Sequence, residues 1–135
     1  MKNWKINTHI LRDFLTKLSD ELDVDTPWSQ DWGIINCDGN RINEFMDFYK
    51  LKEQLFTVAL QDILELIIAS MNEAIIEGKS DNKLQERFIN FIQEVKKNER
   101  RSDLFNLTLN YWNSLSSELD KFPVSKLLLN SIYED

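Results

Sequence analysis

The sequence predicts an all-α fold, a single-domain bundle of five or six helices over residues 1–135 with a long acidic loop between the first two. The chain has only three glycines and two prolines, too few for the many turns of a sheet-rich fold. Its apolar residues recur every three or four positions, which is the spacing of one helix face. With 135 residues, 42% of them hydrophobic, the chain can build one core but not two ordinary domains.

The first helix is predicted by apolar residues that share one face, and Asn7 or Thr8 can cap its start. It is expected to end near Leu22, because the residues that follow are poor helix formers. Pro27 also disfavours α geometry at the residue before it. The apolar face consists of Ile6, Ile10, Leu11, Phe14, Leu15, Leu18 and Leu22.

Residues 23–40, which we call the acidic segment, are predicted to be irregular. Six carboxylates and no Lys or Arg lie between Leu18 and Asn40, so most of the formal net charge of −7 is concentrated there. A connection of this length is typically functional or disordered, and its apolar residues argue against disorder. The carboxylates are Asp20, Glu21, Asp23, Asp25, Asp31 and Asp38, and the tryptophans are Trp28 and Trp32.

The end of the acidic segment is predicted to be a turn at Asp38-Gly39. Such a pair can close a β-hairpin between residues 34–35 and 42. We favour a helix capped by Asn40, which is expected to break between Lys50 and Glu53 because an unbroken helix to residue 78 would be far longer than usual. The helical spacing is that of Ile42, Phe45, Met46 and Tyr49.

Further helices are predicted after this break. The first should be the central and most buried one, because its apolar residues cover most of its circumference. The expected boundaries are Gly78 at the end of the central helix, Ser80 or Asp81 as the cap of the next, Ser102 as the cap of the following one, Phe122-Pro123 at its end and Ser125 at the start of a short last helix.

No catalytic, metal or cofactor motif is found. The single histidine, His9, has Asp13 one helical turn away, and we interpret it as a surface or half-buried residue with a local partner. One Cys and one His are too few for a structural zinc site, and Gly-rich phosphate loops are absent. Glu73 and Glu77 are expected to solvate the end of the central helix. We therefore expect no enzyme activity, no cofactor and no bound metal.

Composition also bears on location and on partners. No apolar run approaches the roughly 18 residues that span a bilayer, and the N-terminus lacks an apolar signal-peptide core. Cys37 has no second cysteine to pair with, so a soluble, cytoplasmic protein is expected. The net charge of −7 opposes nucleic-acid binding. The cations that could favour it, which we interpret as a helix-end cluster, are Lys96, Lys97, Arg100 and Arg101.

The acidic segment remains as the candidate site. Its tryptophans can fold back to seal the core while its carboxylates meet Lys and Arg residues of another protein. The predicted partner-binding residues are Asp23, Asp25, Trp28, Asp31, Trp32 and Asp38.

Two stretches of the chain resemble a known class of proteins. The first is residues 28–45, with Asp31-Trp32-Gly33 and then an Asp-x-x-Arg element from Asp38 to Arg41; the second is residues 64–73. They are similar to small helical immunity proteins of bacterial polymorphic-toxin and contact-dependent growth inhibition systems. The resemblance implies a cognate toxin domain bound one to one, and it brings no catalytic residues.

We therefore predict an immunity protein that binds a cognate toxin domain, basic and nuclease-like, and neutralises it by occluding its active site through an acidic surface. Complementary charge would speed this association. The alternative is a helical adaptor or regulatory subunit without catalytic activity, whose affinity would be nearly insensitive to salt.

Overall fold

The computed structural model describes residues 13, 15–24, 32–52, 57–99, 103–118 and 121–133. Within them the chain forms helices and no strand, which confirms the predicted all-α class. These residues include seven α-helices, more than the five or six predicted, because α2 is a separate short helix. The helices are α1 over 15–22, α2 (Trp32–Ile35), α3 (Ile42–Leu51), α4 (Thr57–Ile76), α5 (Asn82–Glu99), α6 (Asp103–Asn113) and α7 (Val124–Tyr133), and 3-10 turns lie at Gly39–Arg41 and Ser114–Glu118.

The central helix is α4, as predicted. It contacts α2, α3, α6, α7 and the first 3-10 turn, and α5 packs against α7. A helix that is apolar over most of its circumference has to be covered on most sides, which is what these neighbours do. Its fully buried apolar residues are Ile63, Leu64, Leu66, Ile67, Ile68, Met71 and Ala74.

α1 and α4 are each followed by a residue whose backbone has the left-handed conformation. α1 ends at residue 22, as predicted, and Asp23 follows with a φ of 55°. After α4, Gly78 has a φ of 70° and the Lys79 amide donates to the Ala74 carbonyl at 2.8 Å. This bond back across the last turn is the pattern of a helix closed by a left-handed residue. It confirms Gly78 as the residue that ends the central helix.

Two other predicted boundaries are also settled. α3 ends at Leu51, and the amide of Lys52 donates to two carbonyls of its last turn, so the predicted break in this helix is confirmed. Asp81 caps α5, because its Oδ1 accepts a hydrogen bond from the Leu84 amide at 2.8 Å. The predicted cap Ser102 lies outside the described residues.

The acidic segment is more regular than predicted. Residues 32–35 form α2, a helix of four residues that is too short to leave a periodic signal in the sequence. Because residues 34–35 are helical, the hairpin alternative is wrong. The 3-10 turn that follows is capped by Asp38 rather than Asn40: the Asp38 Oδ1 atom accepts a hydrogen bond from the Asn40 amide at 2.9 Å.

The C-terminal helices also differ from the prediction. α6 ends at Asn113, where the Ser114 hydroxyl donates to the Tyr111 carbonyl at 2.5 Å and competes with the helical backbone bonds. The chain continues as a 3-10 turn to residue 118 instead of one longer helix. α7 begins one residue before the predicted Ser125, whose buried hydroxyl instead donates to the Trp112 carbonyl at 2.6 Å.

Candidate partner-binding surface

Trp32 fixes the acidic segment to α1. Its side chain is 0% exposed, and its Nε1 donates to Ser19 Oγ at 2.8 Å. That hydroxyl donates in turn to the Leu15 carbonyl at 2.7 Å, so the buried indole has the polar partner that it needs. Trp32 therefore has no surface with which to contact a partner. This corrects its assignment as a contact residue: it seals the core and holds the segment in place.

The acidic segment lies directly against the backbone of α4 at two glycines. A Cβ at Gly33 would lie 2.6 Å from the Leu66 nitrogen and 3.0 Å from the Asp62 carbonyl oxygen. A Cβ at Gly39 would lie 2.8 Å from the Ala74 nitrogen. Since the obstructing atoms belong to the backbone, only glycine allows so close an approach at these positions.

Glu73 of α4 holds the middle of the acidic segment. Its carboxylate accepts hydrogen bonds from the Gly39 amide at 3.3 Å and from Cys37 Sγ at 3.2 Å, and Ser70 Oγ accepts one from the Asp38 amide at 3.0 Å. The prediction that Glu73 only solvates the helix end is therefore wrong. Burial, reinforced by the bond to Glu73, raises the pKa of Cys37 to about 12. The thiol consequently stays protonated and is a structural donor, not a nucleophile.

Arg41 closes the segment at its other end. It forms two hydrogen bonds with the Glu44 carboxylate, at 2.9 and 2.7 Å, and it also donates to the main-chain carbonyls of Leu22 and Asp23. The bond to Glu44 raises the pKa of Arg41, and the charges of Asp38 and Asp23 contribute less. Arg41 thus ties the end of α1 to the start of α3, and its ion pair is with Glu44 rather than with the two aspartates.

The predicted partner-binding residues have different positions. Asp23 is exposed where α1 ends, Asp38 is half-buried as the cap of the 3-10 turn, and Trp32 is buried. Asp23 and Asp38 both lie close enough to Arg41 to affect its pKa. The remaining residues, Asp25, Trp28 and Asp31, lie outside the described residues.

The last turn of α1 adds exposed acidity next to Asp23. Asp20 and Glu21 are both exposed. Glu21 forms an ion pair with Lys52 Nζ at 2.6 Å, which neutralises part of this charge. Asp20 and Asp23 are thus the described carboxylates that most extend the acidic surface at the end of α1.

Other residues considered from the sequence do not form a second site in the described part of the chain. Asp13 is exposed, and Glu77 is exposed and pairs with Lys79 at 3.4 Å. Lys96 is half-buried and Lys97 is exposed. Among the described residues no cluster of three or more potential metal ligands occurs, and no described helix could cross a membrane. His9, Arg100 and Arg101 lie outside the described residues.

Sequence reasoning missed a groove between α2 and α6 that has three exposed apolar side chains on its walls. Leu107 is 62% exposed, Tyr111 is 54% exposed and Ile34 is 40% exposed. The pattern that could have revealed it is the excess of apolar positions on α6, whose Leu107 and Tyr111 lie one turn apart outside the buried face. This α2–α6 groove, of about 260 Å³, is lined by Ile34, Gln61, Glu65, Leu107, Thr108 and Tyr111.

Asp62 of α4 is half-buried and has a perturbed carboxyl group. Burial raises its pKa to about 7, and the charge of Glu65, three residues further along α4, raises it in the same direction. Its main-chain carbonyl is also one of the atoms against which Gly33 packs. α4 therefore carries two neighbouring carboxyl groups beneath α2.

Comparisons with known proteins give no relative of this chain. No protein-family model matches it, and neither a curated protein nor a solved structure matches it significantly. The resemblance to helical immunity proteins stays a prediction, and what the protein does is inferred from its own residues.

Proposed function

We propose that this protein is an immunity protein that binds a cognate toxin domain and neutralises it by covering the toxin's active site with the acidic segment. The toxin domain would be basic, as a nuclease must be in order to hold phosphate. One observation carries the proposal. Trp32, Gly39 and Arg41 tie the segment to α1 and α4, while Asp23 stays exposed.

Residues 32–40 of the segment are held in this way and are therefore preorganised for binding. Ordering a loop during association costs free energy, and residues 32–41 already have hydrogen bonds to α1 and α4. The described carboxylates of the segment, Asp23 and Asp38, would contact cations of the partner without a prior rearrangement. In this arrangement Trp32 positions the segment and does not touch the partner.

The charge distribution supports a basic partner. Most of the net charge of −7 belongs to the carboxylates between Leu18 and Asn40, where no Lys or Arg occurs. Complementary fields raise association rates to about 10⁸–10⁹ M⁻¹s⁻¹ at low salt, against about 10⁵–10⁶ M⁻¹s⁻¹ without steering. Fast capture suits a partner that is lethal while free, and covering its active site requires no catalytic residue.

The test measures association between the purified chain and the protein recovered with it from its native cell. The tested variant replaces three aspartates of the acidic segment with Lys. It replaces Asp38 with Asn, so that the side chain can still cap the 3-10 turn. We expect the association rate at low salt to fall by at least about 100-fold, and cells that express the partner to lose protection. The variant carries Asp23→Lys, Asp25→Lys, Asp31→Lys and Asp38→Asn.

A control variant changes the net charge by the same amount on exposed carboxylates elsewhere. We expect its association rate to fall by less than about tenfold, since charges beyond about 10 Å are screened at 0.1 M salt. Equal slowing of both variants, or a recovered partner that is not basic, would contradict the proposal. The control carries Glu77→Lys, Glu86→Lys, Glu94→Lys and Glu118→Gln, all at exposed positions.

A helical adaptor without a toxin partner is the second candidate, and the exposed apolar residues Ile34, Leu107 and Tyr111 favour it. Apolar contact would then dominate the interface. The affinity would change little between low and high salt, whereas a steered complex loses association rate as salt rises. The salt dependence of the association rate therefore separates the two candidates.

A further inference from the structure

We infer, on the basis of the proposed function, that Arg41 and Glu44 form a neutral clasp that holds Asp23 beside Asp38, so that both carboxylates meet the basic partner on one surface. Arg41 is then a positioning residue of the binding surface, although its own positive charge would repel such a partner. The support comes from the bonds that Arg41 makes, from the backbone conformation of Asp23 and from the pairing of Arg41 with Glu44.

Arg41 connects the two described ends of the acidic segment. Its amide donates to the Asp38 carbonyl at 3.0 Å. Its guanidinium donates to the carbonyls of Leu22 and Asp23, the latter at 3.1 Å. Asp23 and Asp38 are 15 positions apart in the sequence, yet one residue bonds to both. Joining the ends of a loop in this way lowers the ordering cost that binding would otherwise incur.

The two ends are not fixed equally well without Arg41. The Asp38 amide donates to Ser70 Oγ and the Gly39 amide to the Glu73 carboxylate, so this end is anchored directly on α4. Asp23 has no such bond to α4 among the described residues, and Arg41 links it to the anchored end. The position of Asp23 should therefore depend on Arg41, whereas that of Asp38 should not.

The backbone of Asp23 needs this support. Its φ of 55° is the only positive value of a non-glycine residue in the described part of the chain. Such a left-handed residue is strained and persists only where surrounding contacts determine it, even though Asp tolerates it better than most. The Val24 amide donates to the Ser19 carbonyl at 3.1 Å on one side, and Arg41 binds the Asp23 carbonyl on the other. Loss of Arg41 should release this turn.

Glu44 compensates the charge of Arg41. The guanidinium makes two bonds to the Glu44 carboxylate, at 2.9 and 2.7 Å, and this bonding lowers the pKa of Glu44. In contrast, Arg41 binds Asp23 through its main-chain carbonyl and not through its carboxylate. The clasp therefore fixes the segment without forming an ion pair with the carboxylates that the partner would contact.

The inference predicts an effect of opposite sign to that of charge alone. Removing a cation beside an acidic surface should speed association with a basic partner if only charge matters. If Arg41 positions Asp23, its removal should slow association instead, because the partner then meets a segment that still has to be ordered. One measurement of the association rate separates the two effects.

Lys52 provides the matched control. It is also a cation beside the end of α1, but its Nζ pairs with the Glu21 side chain at 2.6 Å instead of bonding to the main chain there. Lys52→Gln removes the same charge as Arg41→Gln. A third variant, Arg41→Lys, keeps the charge, but an ammonium lacks the planar fork that reaches two carbonyls and a carboxylate together.

The first measurement uses the free ¹⁵N-labelled chain and NMR relaxation. In Arg41→Gln we expect the backbone order parameter of Asp23 to fall from about 0.85 to below about 0.6. Those of Asp38 and Gly39 should stay near 0.85, as should every one of them in Lys52→Gln. Unchanged order at Asp23 would overturn the inference, since a contact that only adds stability lowers the unfolding temperature without loosening the folded chain.

The second measurement uses the protein recovered from the native cell and stopped-flow association at low salt. We expect Arg41→Gln to associate about fivefold more slowly and Arg41→Lys about threefold more slowly, while Lys52→Gln associates at the original rate or faster. Faster association of Arg41→Gln, equal to that of Lys52→Gln, would overturn the inference. If Arg41→Gln does not fold, Arg41→Lys alone decides, since its net charge is unchanged.

The two measurements separate this inference from the proposed function. If the charge variant of the proposed function slows association and Arg41→Gln does not, the clasp is not a positioning device and the proposed function stands. If Asp23 loses order in Arg41→Gln but the recovered partner is not basic, the proposed function fails, and the clasp stands only as the closure of the acidic segment.

Discussion

The acidic segment and the groove between α3 and α5 are built in opposite ways. The segment lies so close to α4 that Gly33 and Gly39 leave no room for a Cβ. In contrast, α3 and α5 stand on either side of a groove of about 890 Å³, which we call the α3–α5 groove. Exposed ion pairs bridge it: Arg87 with Asp47 at 2.6 Å, and Lys50 with Glu94 at 2.9 Å.

This contrast is the reason why we propose the acidic segment, and not the larger cavity, as the binding surface. The α3–α5 groove is lined by charges of both signs, and a ligand would compete with the two ion pairs across it. In the described part of the acidic segment the charged residues, Asp23 and Asp38, are both acidic, and residues 32–40 are hydrogen-bonded to the core. Rigidity and single-sign charge favour recognition of a partner more than volume does.

The largest expected effect comes from adding one methyl group under the acidic segment. In Gly33→Ala the new Cβ would lie 2.6 Å from the Leu66 nitrogen, so α2 has to move away from α4. We expect the free energy of unfolding to fall by about 3 kcal/mol, the upper range for overpacking a core. Urea unfolding followed by circular dichroism measures it.

Gly78→Ala is the matched control for this change. A Cβ added at Gly78 would have open space around it, but the residue has a φ of +70°. The substitution should therefore lower the free energy of unfolding by about 1 kcal/mol for a conformational reason alone. If Gly33→Ala lowers the free energy of unfolding no more than Gly78→Ala does, the close packing of the acidic segment on α4 is contradicted. A destabilised but folded Gly33→Ala should also bind the partner more slowly, because the acidic segment is displaced.

The next effect depends on pH and concerns Asp62, beneath α2. Its pKa is raised from 3.8 to about 7, so the folded state favours the protonated acid. The stability that the protonated Asp62 carboxyl group contributes is fully present below about pH 4 and is lost as pH rises to about 7. One pH unit of difference corresponds to about 1.4 kcal/mol. Because the side chain keeps some contact with water, we expect Asp62→Asn to stabilise the fold by about 2 kcal/mol at pH 8.

The stabilisation by Asp62→Asn should shrink as pH falls and vanish near pH 4. At that pH the Asp62 carboxyl group of the folded protein is protonated and is as uncharged as the amide that replaces it. Urea unfolding at pH 4, 6 and 8 measures this dependence. Glu86→Gln, a charge removal at an exposed position of α5, should change stability by less than about 0.5 kcal/mol at every pH. A pH-independent effect of Asp62→Asn would show that burial does not desolvate its carboxyl group.

Helix faces and helix ends could be predicted from the sequence, because they depend on local periodicity and on capping residues. Gly78 and Asp81 illustrate this, since each acts through its own backbone or the next turn. The four residues of α2 could not be predicted in the same way. They are helical because Trp32 is buried against α1, and Ser19, its partner, lies 13 positions away in the sequence.

The charge of the candidate site could be predicted from the sequence, but its geometry could not. The cluster of carboxylates is visible in the sequence, but Glu73 gives no sign that it binds Cys37 and Gly39 from across the bundle. The α2–α6 groove is lined by both Ile34 and Leu107, which are 73 positions apart in the sequence. Contacts of this range depend on how the helices pack, which local pattern does not specify.

The smallest expected effect concerns the bridge across the α3–α5 groove. Arg87 contacts Asp47 and Asn43 with exposed side chains, so Arg87→Gln should lower stability by about 0.5 kcal/mol. A double-mutant cycle with Asp47→Asn, measured at low and high salt, isolates the pair, and its coupling should fall as salt rises. A salt-independent coupling above about 2 kcal/mol would place this bridge among buried, fixed contacts. The α3–α5 groove would then be held as firmly as residues 32–40, and rigidity could no longer support the proposal that the acidic segment, and not this groove, binds the partner.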